Sequence, residues 1–425
     1  MENGYGKLRR LSESHAKIQT LMHYVNRENL VAEQRAQVKG KAAGIDGTTK
    51  ESYEAGLEEQ IAALLGRMKT FSYRPQAVRR TYIPKTDGTM RPLGIPAYED
   101  KLVQGVMAKV LNEIYEPRFL DCSYGFRPGR NCHDVIRAIN QRIMTKKVNY
   151  ILDADIKGFF DNVDHKWLVK FLEHDIQDEN FIRYVVRFLK AGIMEEGSVR
   201  DSDKGTPQGG LILPVLANIY LHYVLDLWFE KVVKQHLEGE AYLYRYADDF
   251  VVLFQYEDDA KRFYEVLLKR LGKFKLSVAE DKTRIIPFGR YKGTKETFDF
   301  LGFTHINART RTDKYTVLHL TSKKKLKAKR ESAKQWIRWH MHRPIMEIVR
   351  ALSRKLTGHY NYYGVNGNLR GLYKFYSYIR MTLFKVLRRR GQKHKINWET
   401  FEKIWKLIPR PRICKDIWRR TNVQC

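Results

Sequence analysis

Residues 10 to 70 carry apolar side chains at i, i+3 and i+4, the spacing of amphipathic helices, clearest in "LEEQIAALLGRMKTF". "GKAAGIDGTT" interrupts them as a turn segment, in which Gly44 and Gly47 flank Asp46 and set the loop shape. The pattern then changes, and "RRTYIPKTDGTMRPLGIP" predicts a β-hairpin turning at Asp87–Gly88. An amphipathic helix ending at Pro117 follows, and the loop "SYGFRPGRN" leads into another helix. "NYILDADIKGFFDNVDHKWLVKFL" starts as a strand and becomes helical after Asp164. A Gly-Pro loop, "KGTPQGG", precedes a long and mostly apolar helix. "YLYRYADDFVVLFQ" is β-type on both sides of two adjacent carboxylates, Asp248 and Asp249. After a further amphipathic helix (Tyr256 to about Phe274), "LSVAEDKTRIIPFG" and "FDFLGFTHI" read as short strands. Beyond Lys323 the pattern is basic helices, broken by "TGHYNYYGVNGN". This order of elements predicts an α+β fold rather than regular βαβ alternation.

Length and charge add a second layer. A chain of 425 residues is expected to hold two or three domains. No stretch approaches the roughly 20 apolar residues that span a bilayer, so no membrane partner is expected. The N-terminus lacks the apolar core of a secretory signal. Four scattered cysteines, Cys122, Cys132, Cys414 and Cys425, form neither a zinc ribbon nor a disulfide framework and suit a reducing cytosol. The net charge of +30 is concentrated: residues 322–425 hold 28 Lys and Arg against 5 Asp and Glu, while the other 321 residues hold 50 against 43. A basic C-terminal quarter on a nearly balanced body points to a polyanion-binding module. Trp336, Trp339, Tyr360, Tyr362, Tyr363, Tyr373, Tyr376 and Tyr378 interleave with the cations, which suits nucleic acid better than a membrane surface.

The carboxylates carry the candidate chemistry. An unpaired carboxylate near a sheet core is expensive, so Asp248 and Asp249 should be exposed, paired or bound to a cation. A polar hairpin turn is the plainer alternative. Upstream, Asp153 and Asp155 alternate along a strand and so share a face. A strand ending in an acidic residue, beside a hairpin with two more, can gather oxygen ligands around Mg²⁺. Asp161 and Asp164 read instead as capping or surface residues.

"YADD", the upstream "DIKGFFD" and the intervening "GTPQGG" resemble the palm of a reverse transcriptase. More narrowly, the chain resembles the bacterial group II intron-encoded reverse transcriptase/maturases, through "GIDG", "YIPKTDGTMRPLGIP", "SYGFRP", "TPQGG", "FDFLGF" and "GHYNYYGV", in that order. The resemblance implies a right-hand polymerase: fingers and palm with an antiparallel sheet, then an α-helical thumb/maturase region. The expected divisions are 1–70 for the N-terminal extension and start of the fingers, 71–310 for fingers and palm, and 311–425 for the RNA-binding thumb/maturase (X) region, with no endonuclease domain.

It also implies roles. Asp155, Asp248 and Asp249 match the metal triad, with Ile156 in the same metal and nucleotide site, holding two Mg²⁺ ions, with Mn²⁺ as an alternative. Phe160 matches the aromatic gate under the incoming sugar, although alone it would read as a core aromatic. Lys85 and Arg91 match the fingers residues that hold the triphosphate, although alone they would read as solvated hairpin charges. Gln208 lines the nucleotide and template pocket. Lys282 matches a lysine proposed to protonate the pyrophosphate leaving group, a role that plain charge could also fill.

The activity so implied is RNA-directed DNA polymerisation from dNTPs on a primed RNA template. Binding of group II intron RNA would assist splicing, and target DNA would be primed for mobility, all in a bacterial cytoplasm, with the oligomeric state left open. Two rivals stand beside it: a domesticated reverse transcriptase of host defence or repair, and an RNA-binding splicing factor without polymerase activity. Arg388, Arg389 and Arg390, with Lys393 and Lys395, form a dense cationic run. Tyr362 and Tyr363 read individually as helix-packing aromatics. Leu213 departs from the family, which has serine before Pro214, and so loses a potential helix cap.

Overall fold

The computed structural model describes residues 5–84, 90–195, 198–200, 209–390 and 396–418. Its strands, in chain order, are β1 (Val78–Pro84), β2 (Met90–Ile95), β3 (Tyr150–Asp155), β4 (Ile193–Glu195), β5 (Ser198–Arg200), β6 (Ala241–Tyr246), β7 (Asp249–Phe254), β8 (Arg284–Pro287), β9 (Thr297–Phe300), β10 (Phe303–Arg309) and β11 (Tyr315–Thr321). They form three sheets with the orders β2-β1-β4-β5, β6-β7-β3-β8 and β11-β10-β9. The α+β reading holds: the β6-β7-β3-β8 sheet is antiparallel throughout, helices cover it, and among the described residues the elements after β11 are helices.

The predicted fingers hairpin is β1–β2, paired from Arg79↔Ile95 to Pro84↔Met90; its turn at Asp87–Gly88 lies outside the described residues. In the palm sheet β3 and β7 are the inner strands, which explains why both are apolar on both faces away from their aspartates. The largest core cluster joins the N-terminal helices, the buried helix Tyr98–Tyr115, the helix Leu213–Leu221 and one face of the palm sheet. A second cluster packs the opposite palm face against the helix Cys132–Thr145 and the β9–β11 sheet.

The N-terminal loop is tied onto the fingers. A Cβ on Gly44 would lie 2.5 Å from the Pro96 carbonyl, so only glycine permits this approach. Asp46 accepts from the Tyr98 amide (3.2 Å), and Gly47 turns with φ +68.

The basic quarter forms the helices Lys323–Trp339, Ile345–Tyr363, Leu369–Arg388 and Trp398–Trp405, around a core that includes Ile348, Leu352, Leu356, Phe375, Ile379, Leu383, Phe401 and Trp405. Helical cover begins at Lys323, capped by Ser322, and the division expected at 310/311 falls within the β10–β11 hairpin. Tyr362 and Tyr363 pack rather than project. Tyr362 donates to the Leu301 carbonyl (2.9 Å) and stacks on Phe303, and His133 Nε2 lies 2.7 Å from the Tyr362 carbonyl. A Cβ on Gly302 (φ +78) would sit 2.9 Å from the Tyr363 hydroxyl. "NYYG" therefore docks the helical region on "FLGF" of the palm. No helix among the described residues is long and apolar enough to cross a membrane.

Candidate active site

Tyr246 pairs with Asp249, so Ala247 and Asp248 form the two-residue turn of the β6–β7 hairpin. Such turns favour positive φ, and Ala247 adopts φ +58. On its other edge β7 pairs with β3, placing Asp155 directly opposite Asp249. The turn and the carboxylate site are thus one feature: the turn brings Asp248 and Asp249 to the sheet end where β3 delivers Asp155. From below, Gly125 of "SYGF" supports the turn so closely that a Cβ there would lie 2.2 Å from the Ala247 nitrogen.

Asp248 and Asp249 both resist ionisation. Although Asp249 keeps an exposed edge, desolvation by the protein packed around it, then repulsion from Asp248 and Asp155, pushes it up to about 7, against the pull of Lys282 and Lys325. Burial also raises Asp248, with Asp155 adding to it; its own backbone hydrogen bond, Arg91 and Arg245 oppose the rise. Asp153 is pushed up to about 7, again mainly by burial, although Arg284 stands opposite it in β8. Lys282 donates to Asp155 at 2.8 Å, and its ammonium is held charged by that contact.

Among the described residues no three His, Cys, Asp or Glu side chains stand at metal-holding distances. A lysine rests instead on the carboxylate where a cation would add ligands. Carboxylates gathered at one sheet end, with an ammonium drawn among them, make a donor set that fits a hard divalent cation.

Ile156 is buried in the core, so only its main chain could serve a ligand. The bonds Ala279 N–H to Asp155 O and Lys157 N–H to Ser277 O flank it. Its own peptide groups therefore point away from that bridge, towards the β7 side. Phe159 is the core aromatic; Phe160 is half-buried and meets it edge-on at 5.3 Å. Asp164 caps the helix His165–Asp175 by accepting from the Trp167 amide (2.9 Å).

From the fingers, Arg91 stands opposite Ile83, exposed to solvent, and its charge reaches Asp248. Lys85 and Gln208 lie outside the described residues. The end of "TPQGG" presses on β2: Gly209 has φ +129, and a Cβ there would meet the Gly94 carbonyl at 2.1 Å. The expected capping position does not hold: Ile212 is the N-cap of the helix Leu213–Leu221, and Leu213 is its first residue, buried in the main core, so a serine there would stand one position inside the helix.

Two residues escaped the sequence reading. Arg245, wholly buried, forms an ion pair with Asp226 at 2.5 Å, directly behind the turn. The signal was present: an arginine inside an apolar strand, three residues before the aspartate pair, must have a buried partner.

Comparison with known proteins places this geometry. The family described as reverse transcriptase (RNA-dependent DNA polymerase) matches residues 83–305. The chain is 34% identical over 295 residues to the group II intron-encoded protein LtrA of Lactococcus lactis, covering 65% of this chain and 48% of that protein. It is 32% identical over 333 residues to protein YkfC of Escherichia coli, covering 69% of this chain and 85% of that one. A 91 kDa protein in the cob intron of Schizosaccharomyces pombe is 40% identical over 166 residues, covering 39% of this chain and 20% of that protein. The chain belongs to the reverse transcriptase (RNA-dependent DNA polymerase) family, among its group II intron-encoded reverse transcriptase/maturases. It spans about half the length of LtrA.

Proposed function

We propose that this chain is an RNA-directed DNA polymerase that extends a primer 3′-hydroxyl on an RNA template with dNTPs. The observation that supports this best is the meeting of Asp155, Asp248 and Asp249 at one sheet end, with Lys282 on Asp155. Asp155, Asp248, Asp249 and the Ile156 carbonyl would hold two Mg²⁺ ions, or Mn²⁺ in their place. When bound, the ions would supply activation of the attacking oxygen and stabilisation of the leaving one. The chain's own residues orient the reactants. Arg91, with Lys85, holds the triphosphate from the fingers. Phe160 sits under the incoming sugar and excludes a 2′-hydroxyl, and Gln208 lines the nucleotide pocket. Lys282, which lies on Asp155, would place its charge beside the departing pyrophosphate.

The basic helices from Lys323 onward grip the primer–template duplex and group II intron RNA, so that the chain assists splicing and, at target DNA, mobility by target-primed synthesis. Primer extension on poly(rA)/oligo(dT) with Mg²⁺ and dTTP tests the polymerase. Extension by the unmodified chain and none by Asp248→Asn, with RNA still bound by both, is the expected result. Bound RNA without extension by either would leave an RNA-binding splicing factor.

A further inference from the structure

Arg245 lies three residues before Asp248 with none of its surface exposed. A buried guanidinium is costly unless its five N–H groups are all bonded. Here they are. Nε and Nη2 donate to the two carboxylate oxygens of Asp226 (2.8 and 2.5 Å), and Nη2 also donates to Ser123 Oγ (2.7 Å). Nη1 donates to Asn218 Oδ1 (3.0 Å) and to the Ala247 carbonyl (2.9 Å).

The main chain tightens the same knot. The Arg245 amide donates to the Cys122 carbonyl (2.8 Å), its carbonyl accepts from Tyr124 (2.9 Å), and Asn218 Nδ2 donates to the Gly125 carbonyl (2.7 Å). Three segments remote in sequence are thereby fixed around the turn: the "SYGF" loop, the apolar helix and the hairpin itself.

The helix is adapted to this task. Asn218 and Asp226 are eight residues apart, which in a regular α-helix would leave them about 80° apart around the axis. Residues His222–Asp226 are instead a π-helical turn, which inserts about one residue and brings the two to within about 20° of one face.

We propose that Arg245, held by Asp226, is a positioning residue for the catalytic carboxylates. Its bond to the Ala247 carbonyl orients the peptide that leads directly into Asp248, and it steadies an alanine in the left-handed region, where alanine is uncommon. The clamp therefore sets where Asp248 and Asp249 stand, and so how readily the site takes a divalent ion. This inference rests on the polymerase reading above.

The test uses the full chain and two readouts: the Mn²⁺ concentration that gives half the metal-induced rise in Tm, and the Mg²⁺ concentration for half-maximal primer extension. Lysine keeps the charge but cannot hold Asp226 and the Ala247 carbonyl together. Arg245→Lys is expected to raise both concentrations by about tenfold. Val106→Ala, a core change in the helix Tyr98–Tyr115, should lower Tm while leaving both midpoints unchanged. Equal metal midpoints in Arg245→Lys and Val106→Ala would overturn the proposal and make the clamp purely structural. Should Arg245→Lys not fold, Ser123→Ala removes one of the five bonds and should raise the midpoints two- to threefold; no change there overturns it equally. An unmodified chain that shows the Mn²⁺ shift but no extension would refute the polymerase reading, and the Mn²⁺ midpoints would still decide the clamp.

Discussion

Around the β6–β7 turn charge is sparse and closely bonded: Arg245 is enclosed with Asp226, and Asp155 carries Lys282. In the helical region it is abundant and open, with Lys323, Lys324, Lys325, Lys327, Arg338, Arg388 and Arg389 all exposed. The first arrangement fixes a few groups to within a bond length and suits chemistry. The second presents many weakly constrained cations and suits a long polyanion. Aromatic residues divide the same way. Tyr362 and Tyr363 lock the helices to the palm, while Trp339 stands 80% exposed among cations at the end of its helix. The two regions should therefore fail differently when mutated.

The largest effect should come from the palm. Asp155→Asn removes the carboxylate that Lys282 covers and one expected metal ligand, worth several kcal/mol of transition-state stabilisation, or about a thousandfold in rate. RNA affinity should stay within about twofold. Filter binding beside primer extension checks this, and a comparable loss of binding would end the separation between the two regions. Phe160→Ala should follow, still within the palm. If its ring excludes the 2′-hydroxyl, incorporation of rUTP relative to dTTP should rise by on the order of a hundredfold, with dTTP incorporation little changed. Unaltered sugar discrimination would return Phe160 to a packing role beside Phe159.

The helical region should show its loss only in binding. Replacing Arg388, Arg389 and Arg390 by glutamine removes up to three phosphate contacts, each contributing roughly 0.7 to 0.9 to the salt slope. The plot of log affinity against log salt should flatten by about two units, with the extension rate at saturating template preserved. A reduced rate with an unchanged slope would mean that this run supports the palm rather than the RNA.

The contrast was partly legible in the sequence. The aspartates, the fingers hairpin and the basic quarter all stood out, because a charge in an apolar run and a lopsided lysine count are local signals. What pairs across sequence was not legible. Nothing near Arg245 announces Asp226, because the match depends on a π-helical turn that no periodicity shows. "NYYG" could be read as packing but not placed, since its partner, "FLGF", lies some sixty residues upstream and meets it through Leu301, Gly302 and Phe303. That placement also weakens "NYYG" as a sign of intron RNA binding: any descendant needing a docked thumb would keep it.

The smallest effect tests the palm's electrostatics through stability alone. Asp249 has an ordinary carboxyl value of 3.8 when unfolded but is pushed up to about 7 in the folded chain. Between those values the folded state keeps a proton that the unfolded state has lost, so this group's contribution is fully present below pH 3.8 and is lost as pH rises through 7. Asp249→Asn, which cannot ionise, should therefore raise Tm at pH 8, by a degree or two once solvent screening of this accessible group is allowed for. The gain should shrink at pH 5, where the native aspartate is already protonated. Mg²⁺ at pH 8 should narrow it too, by stabilising the unmodified chain more than the variant. An equal Tm gain at both pH values would mean that packing, and not the crowding of three carboxylates at the turn, separates the two proteins.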